Sequence, residues 1–160
     1  MLSIRKSKIE DLDAILKIYE TARSFMKESG NALQWGDTYP DEELVRDDIE
    51  KGISYVVENL GDICAVFVFF TGKEKSYESL IEEKHDYGII HRVASDASTG
   101  GIVKEICKFV RGKVSNIKID THQYNIPMQR ALEGIGFKKC GIIYLDDESE
   151  RILYQLKGEV

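Results

Sequence analysis

The sequence predicts an α/β fold: one sheet with both parallel and antiparallel pairings, and about four helices. Three observations carry that expectation. Tyr87 to Val110 reads as a mostly apolar strand, a short loop with paired glycines and an amphipathic helix. The elements around it run β-α-α-β-β before the next strand, then β-α-β-α-β-β to the C-terminus. Neither a repeat nor a low-complexity linker interrupts the 160 residues, so positions 1–160 are expected to form a single domain.

Leu2 to Arg5 reads as the first strand. Asp11 is placed to cap a long helix whose apolar face uses Leu12, Ile15, Leu16, Ile18, Tyr19, Ala22 and Phe25, and Gly30 stops it. A loop with the one tryptophan, Trp35, leads through Tyr39-Pro40 into a second helix from Asp41 to about Lys51. Ile53–Asn59 and Asp62–Phe70 form a predicted hairpin turning at Leu60-Gly61. Thr71 to Asp86 is polar and mixed in sign, and reads as a surface excursion with one helical turn around Tyr77. In the central unit, Ile89, Ile90, Val93 and Ala94 suit a strand buried on both faces. Ile102, Val103, Ile106, Phe109 and Val110 make one helical stripe. Asn116–Thr121 alternates as a strand should, and Asn125–Ile135 fits a helix with Pro127 in its first turn. Gly136 ends that helix before strands from Phe137 to about Leu145 and Arg151 to Leu156.

A net charge of -6 disfavours nucleic acid or an anionic membrane as the main partner and is compatible with a cationic amine. Cys64, Cys107 and Cys140 lie in apolar runs without metal-ligand spacing, so reduced thiols and no metal are expected. The chain opens without a signal-like segment, and its longest apolar run, Ile63–Phe70, is too short for a bilayer, which gives a cytoplasmic expectation.

The central loop carries the first functional signal. Helix N-termini present N–H groups without intrahelical partners, and the macrodipole adds partial positive charge. Gly100 and Gly101 would let phosphate oxygens approach the backbone there, although such junctions are also common as plain structure.

Taken with His91-Arg92-Val93-Ala94, Asp120-Thr121-His122, Asn125, Pro127-Met128 and Gly136-Phe137, the chain resembles the GNAT superfamily of acetyl-CoA-dependent N-acyltransferases over essentially its whole length. Gln34-Trp35, Tyr39-Pro40 and Glu150-Arg151-Ile152 resemble a bacterial branch that acts on small molecules. The resemblance implies a mostly antiparallel twisted sheet whose central parallel strands splay apart. It places the diphosphate of acetyl-CoA on Ser98, Thr99, Gly100, Gly101, Ile102 and Val103, and the pantetheine arm along Val93, Ala94 and Ser95. Asn125 and Met128 fall near the cofactor, and Asn125 is equally a helix N-cap. Ser98 and Val103 depart from the family's loop pattern, and Val103 could crowd the approach.

Acetyl transfer needs a neutral amine, whereas an alkylamine with a pKa near that of lysine, about 10.4, is mostly cationic at neutral pH. A base must therefore take a proton, and the oxyanion can be met by a backbone N–H, best that of Val93. His91 is the first candidate base, with an inert sheet-surface histidine as the plain alternative. Glu58 is a second candidate near the substrate, or else a solvated strand end. His122 ends a strand where ligand sites of α/β sheets gather, or else positions Asn125. The family's acid tyrosine falls on Leu132, which leaves Tyr144 and Tyr124 as candidates by type alone. Trp35 and Tyr39 could hold the acceptor's ammonium by cation–π attraction, or else plug the core and make a turn. Arg151 is expected to pair with a surface carboxylate.

The leading expectation is an enzyme moving acetyl from acetyl-CoA to a primary amine of a small molecule within one ternary complex. The alternatives are a non-catalytic acyl-CoA-binding module and a protein lysine or N-terminal acetyltransferase. An exposed edge strand near the C-terminus would suit a homodimer.

Overall fold

A computed structural model describes residues 1–158. Seven strands form one sheet: β1 (Leu2–Lys6), β2 (Ser54–Asn59), β3 (Asp62–Gly72), β4 (Tyr87–Ser95), β5 (Asn116–Thr121), β6 (Lys138–Tyr144) and β7 (Glu150–Lys157). Their spatial order is β1-β2-β3-β4-β5-β7-β6, and every pairing is antiparallel except β4 with β5. The helices are α1 (Leu12–Glu28), α2 (Glu42–Glu50), the single turn α3 (Lys75–Glu78), α4 (Ile102–Arg111) and α5 (Ile126–Ile135).

Apolar alternation sorts the helices onto two faces. One face packs Tyr55, Phe67, Ile90, Ile117, Ile119 and Tyr154 against Ile106 and Val110 of α4 and Leu132 of α5. The other packs Val56, Val66 and Ala94 against Ile15, Ile18 and Tyr19 of α1. The hairpin turns through Leu60 and Gly61, both at positive φ, as a two-residue hairpin turn requires.

Three expectations change. Asp11 makes no side-chain cap on α1; its carboxylate instead takes two bonds from the Arg5 guanidinium and one from the Lys8 amide. Phe25 lies a helical turn beyond the buried stripe and is exposed. The polar segment after β3 makes the expected helical turn at the surface, but Tyr77 within it is fully buried, beside Tyr87 of β4, against Ile89, Ile143 and Leu153. Polar flanks hid one tyrosine anchor.

The decisive feature is the short parallel pairing. Strands β4 and β5 bond only over Gly88–Ile90 and Ile117–Ile119. Beyond Ile90 and Ile119 the two strands part, as the splayed sheet requires. At the same level β4 carries a bulge: His91 pairs with Val68 and Ala94 with Val66, so Arg92 and Val93 together face Phe67. Arg92 takes φ +50° there, a strained value for a non-glycine residue.

Candidate functional site

Two hollows flank the gap between β4 and β5. The first, a groove of about 740 Å³, runs from the loop after β4 along α4 and α5. Ser95, Thr99, Gly101, Ile102 and Val103 line its head, and Ala131, Gly134 and Ile135 its far wall. Its charged side chains are Lys104, Lys108, Arg111 and Arg130, with no carboxylate among the lining residues. That sign suits a polyanion.

The loop at the head is braced from within. The Ala97 amide donates to Ser95 Oγ, the Ser98 amide and hydroxyl both donate to Asp96 Oδ1, and Asn59 Nδ2 donates to Thr99 Oγ1. Gly101 is the N-cap of α4 at φ +73° with no side-chain cap, and the Glu105 amide is the first to bond back to its carbonyl. Among the described residues the amides of Ile102, Val103 and Lys104 have no acceptor, leaving a helix N-terminus open for an anion. Ser98 differs from expectation, because its amide and hydroxyl are already committed to Asp96. A Cβ built on Gly100 or Gly101 would meet nothing within 4 Å, so the space over both is open. Val103 lines the groove while also packing on the core. Cys107 lies in the groove wall, its thiol pushed up to about 12 by burial, and is inert as a nucleophile.

The second hollow, a cleft of about 570 Å³, opens on the other side of the gap. Trp35, Tyr39, His91, Val93, Asn125 and Met128 line it, together with Ile90 and Ile119 where the strands part. Met128 and Asn125 therefore face this cleft and not the basic groove. Asn125 is also the N-cap of α5, its Oδ1 accepting from the Met128 amide. The N-cap expectation is met, and its side chain faces the cleft.

Gln34 ties this cleft together. Its Oε1 accepts from Asn31 Nδ2, from Asn125 Nδ2 and from the His122 amide. Trp35 packs edge-on against Tyr19 and Tyr39, at 5.7 and 6.2 Å between ring centroids. Tyr39 Oη accepts from Arg92 Nη1, so the polar end of that ring already meets a cation.

Four carboxylates bear on the cleft. Asp48 lies behind it and holds Arg92 in a forked pair. Asp120 accepts a hydrogen bond from the Tyr77 hydroxyl, which burial and then the Asp120 charge keep protonated. Glu74 Oε2 stands 3.7 Å from His91 Nε2, too far for a hydrogen bond in this geometry; the nearness of His91 holds the Glu74 carboxyl below the usual range, against the opposing effect of partial burial. Asp147, at the rim, accepts from the Ser149 amide and hydroxyl.

His122 sits behind the cleft. Its Nδ1 accepts from the Tyr124 amide, and burial, then the Arg151 charge, push its pKa down, so it is a neutral positioning group.

Several candidates fall elsewhere. Glu58 lies on β2, outside both hollows, with its carboxylate on Arg5 Nε at 3.1 Å. Tyr144 is 59% exposed at the end of edge strand β6 and lines neither hollow. Type without position misplaced both. The Ala94 side chain packs against the α1 layer, leaving only its backbone for the gap. Leu132, where a tyrosine was sought, is wholly buried in the core. Arg151 corrects the expectation of a surface ion pair: it is buried, lines the cleft and has no carboxylate within 4.0 Å among the described residues. Glu74 escaped the sequence reading, and Asp120 entered it only as part of the resemblance, because only the sheet brings the start of α3 and β5 to one cleft.

Among the described residues no group of three or more His, Cys, Asp or Glu side chains could hold a metal ion, and no helix is long and apolar enough to cross a membrane.

No protein-family model and no curated protein matches the sequence. Solved structures do. A GNAT-family acetyltransferase from Streptococcus agalactiae 2603 superposes with a TM-score of 0.89 and 27% identity, over 99% of this chain and 96% of that one. A protein from Staphylococcus aureus MU50 assigned as an acetyltransferase gives 0.70 and 26%, over 96% and 97%. A GNAT-family acetyltransferase from Listeria monocytogenes 4b F2365 gives 0.72 at 20% identity, over 96% and 93%, and so speaks to the fold alone. The parted parallel strands, the bulge beside them and the uncapped N-terminus of α4 lie within the superposed region, and the chain has the fold of the GNAT-family acetyltransferases.

Proposed function

We propose that the protein transfers acetyl from acetyl-CoA to a primary amine of a small molecule, directly, with both substrates bound at once. The observation that carries this reading is that β4 and α5 each contribute residues to both hollows. On β4, Ser95 faces the basic groove and Val93 the cleft; on α5, Ala131, Gly134 and Ile135 face the groove and Asn125 and Met128 the cleft. A long ligand with an anionic head can lie in the groove and bring its far end to a second ligand in the cleft.

The free amides of Ile102, Val103 and Lys104 would hold the diphosphate, with Lys104, Lys108, Arg111 and Arg130 adding charge. Acetyl-CoA supplies an activated thioester carbonyl. Val93 lies in the β4 bulge and lines the cleft, where its main-chain N–H would meet the developing oxyanion. His91, on the cleft wall with Glu74 behind it, takes the proton shed by the amine as the new C–N bond forms and the C–S bond breaks. The departing thiolate takes its proton from water. Holding the two reactants in one gap contributes at least as much as the proton transfer.

The cleft is roofed by Gln34, Trp35 and Tyr39, which favours a small acceptor over a peptide laid along an open channel. The test is thiol release from acetyl-CoA across a panel of primary amines, with a thermal shift on CoA alone. Acceptor-dependent thiol release with a CoA-induced rise in melting temperature is expected. A thermal shift without release from any amine would leave a binding module, and no shift at all would remove the cofactor from the groove.

A further inference from the structure

We propose that the acceptor is an amino carboxylate, a small molecule bearing both the reacting amine and a carboxylate, and that Arg151 binds the carboxylate. This rests on the acceptor lying in the cleft, as argued above.

Arg151 is the second residue of β7, with only 8% of its surface exposed. Its two hydrogen bonds go to main-chain carbonyls: Nη1 donates to Glu150 O at 2.9 Å and Nη2 to Gln34 O at 3.2 Å. These fix the plane of the guanidinium without neutralising it. A buried cation that lacks a counter-charge is costly, and the interior rarely keeps one without a purpose. No neighbouring carboxylate pairs with it: Asp48 is occupied by Arg92, Glu74 lies beside His91, and Asp147, at the rim, feels the Arg151 charge only from a distance, none of the three within 4.0 Å of Arg151. A guanidinium fork with free N–H groups matches a carboxylate in two-point contact. Thr121 Oγ1, on the same cleft wall, is also buried without a partner.

The opposite charge is supplied across one strand. Leu153 pairs with Asp120, so Arg151, two residues earlier on β7, shares Asp120's face of the sheet and stands diagonal to it. Asp120 spends one bond on Tyr77 and keeps acceptor capacity. An anionic group at Asp120 and a cationic one at Arg151, both opening on one small cleft, complement a zwitterion. A simple alkylamine would use only half of that arrangement.

The experiment pairs each of a panel of amino acids with its carboxamide, which keeps size and amine but removes the charge. Wild type, R151K and R151Q are measured by thiol release and by thermal shift in the presence of CoA. The wild type should favour the acid over its amide by about 30-fold or more in kcat/KM. R151Q should cut kcat/KM for acids by a similar factor, mainly through KM, and for amides by less than about threefold, with the KM for acetyl-CoA held within about threefold. R151K, which keeps charge but not the fork, should fall between them. Amides matching acids in the wild type, equal losses on both in R151Q, or no acid giving a CoA-dependent shift would each overturn the assignment. Arg151-dependent binding of acids without thiol release would support the site and overturn acetyl transfer. Release only with amines lacking a carboxylate would do the reverse.

Discussion

Arg92 and Asp48 form a forked ion pair, with Nε 2.9 Å from Oδ2 and Nη2 2.7 Å from Oδ1. The pair joins α2 to the one strained residue of the β4 bulge, and the Tyr19 hydroxyl adds a 3.2 Å bond to the Arg92 carbonyl. Side-chain exposure is only 13% and 4%, so removing one partner leaves the other charged and buried. Asp48→Ala is expected to cost about 3–5 kcal/mol in urea denaturation, and Asp48→Leu with Arg92→Met together less than the sum of the two alone. A loss under about 1 kcal/mol in Asp48→Ala would mean the pair does not hold the bulge.

Gly101 gives a prediction in which backbone and space separate. At φ +73° any L side chain is strained, yet a Cβ there would meet nothing within 4 Å. Gly101→Asn, a residue that tolerates left-handed backbone, should stay close to wild-type stability, and Gly101→Val should lose about 1–3 kcal/mol. Both should weaken CoA, because either side chain fills the space over the free amides. Calorimetric titration with CoA checks it, and unchanged affinity in the folded Asn variant would put the phosphates elsewhere.

The frame of the protein was legible because its signals are local. The apolar runs of β2 and β3, the alternation of β5, Asp41 before α2 and Gly136 after α5 each act within a few residues. The groove was legible for the same reason: strand, loop and helix that build its head are contiguous from β4 to α4. The cleft was not. Gln34 meets His122 and Asn125 across 88 and 91 positions, and Arg92 meets Asp48 across 44. Arg151 shows the difficulty best, since a lone arginine beside Glu150 reads as surface until β7 is known to run between β5 and β6. Tyr77 failed similarly, being a core anchor inside a polar segment.

His122 makes stability depend on pH in a stated direction. Burial, then the Arg151 charge, depress its pKa below the free value of 6.5, and Nδ1 is committed as an acceptor from the Tyr124 amide. As pH falls through 6.5 the unfolded chain takes up the proton before the folded one does, so stability drops until the lower, folded pKa is passed. Above 6.5 this contribution is constant. His122→Asn, which keeps an acceptor near Nδ1, should therefore show a shallower loss between about pH 6.5 and 5 than wild type. Denaturation midpoints at several pH values decide it; parallel slopes would mean His122 does not titrate with folding.

His91 is the group on which the chemistry turns. It is the histidine on the cleft wall, one residue beyond the last bonded position of β4, and it packs beside the rings of Phe70 and Tyr77. Its imidazole stands 3.7 Å from Glu74 Oε2 and holds that carboxyl below the usual range, so an anionic group lies beside the nitrogen that would take the proton. His91→Gln should lower kcat by about 100-fold at neutral pH, and Glu74→Gln by less, with the KM for acetyl-CoA little changed in both because the groove lies across the gap. Tyr144→Phe, outside both hollows, should leave kcat/KM intact. If His91→Gln keeps more than a third of the activity, the histidine merely fills the sheet surface, and proton removal falls to water or to Asp120.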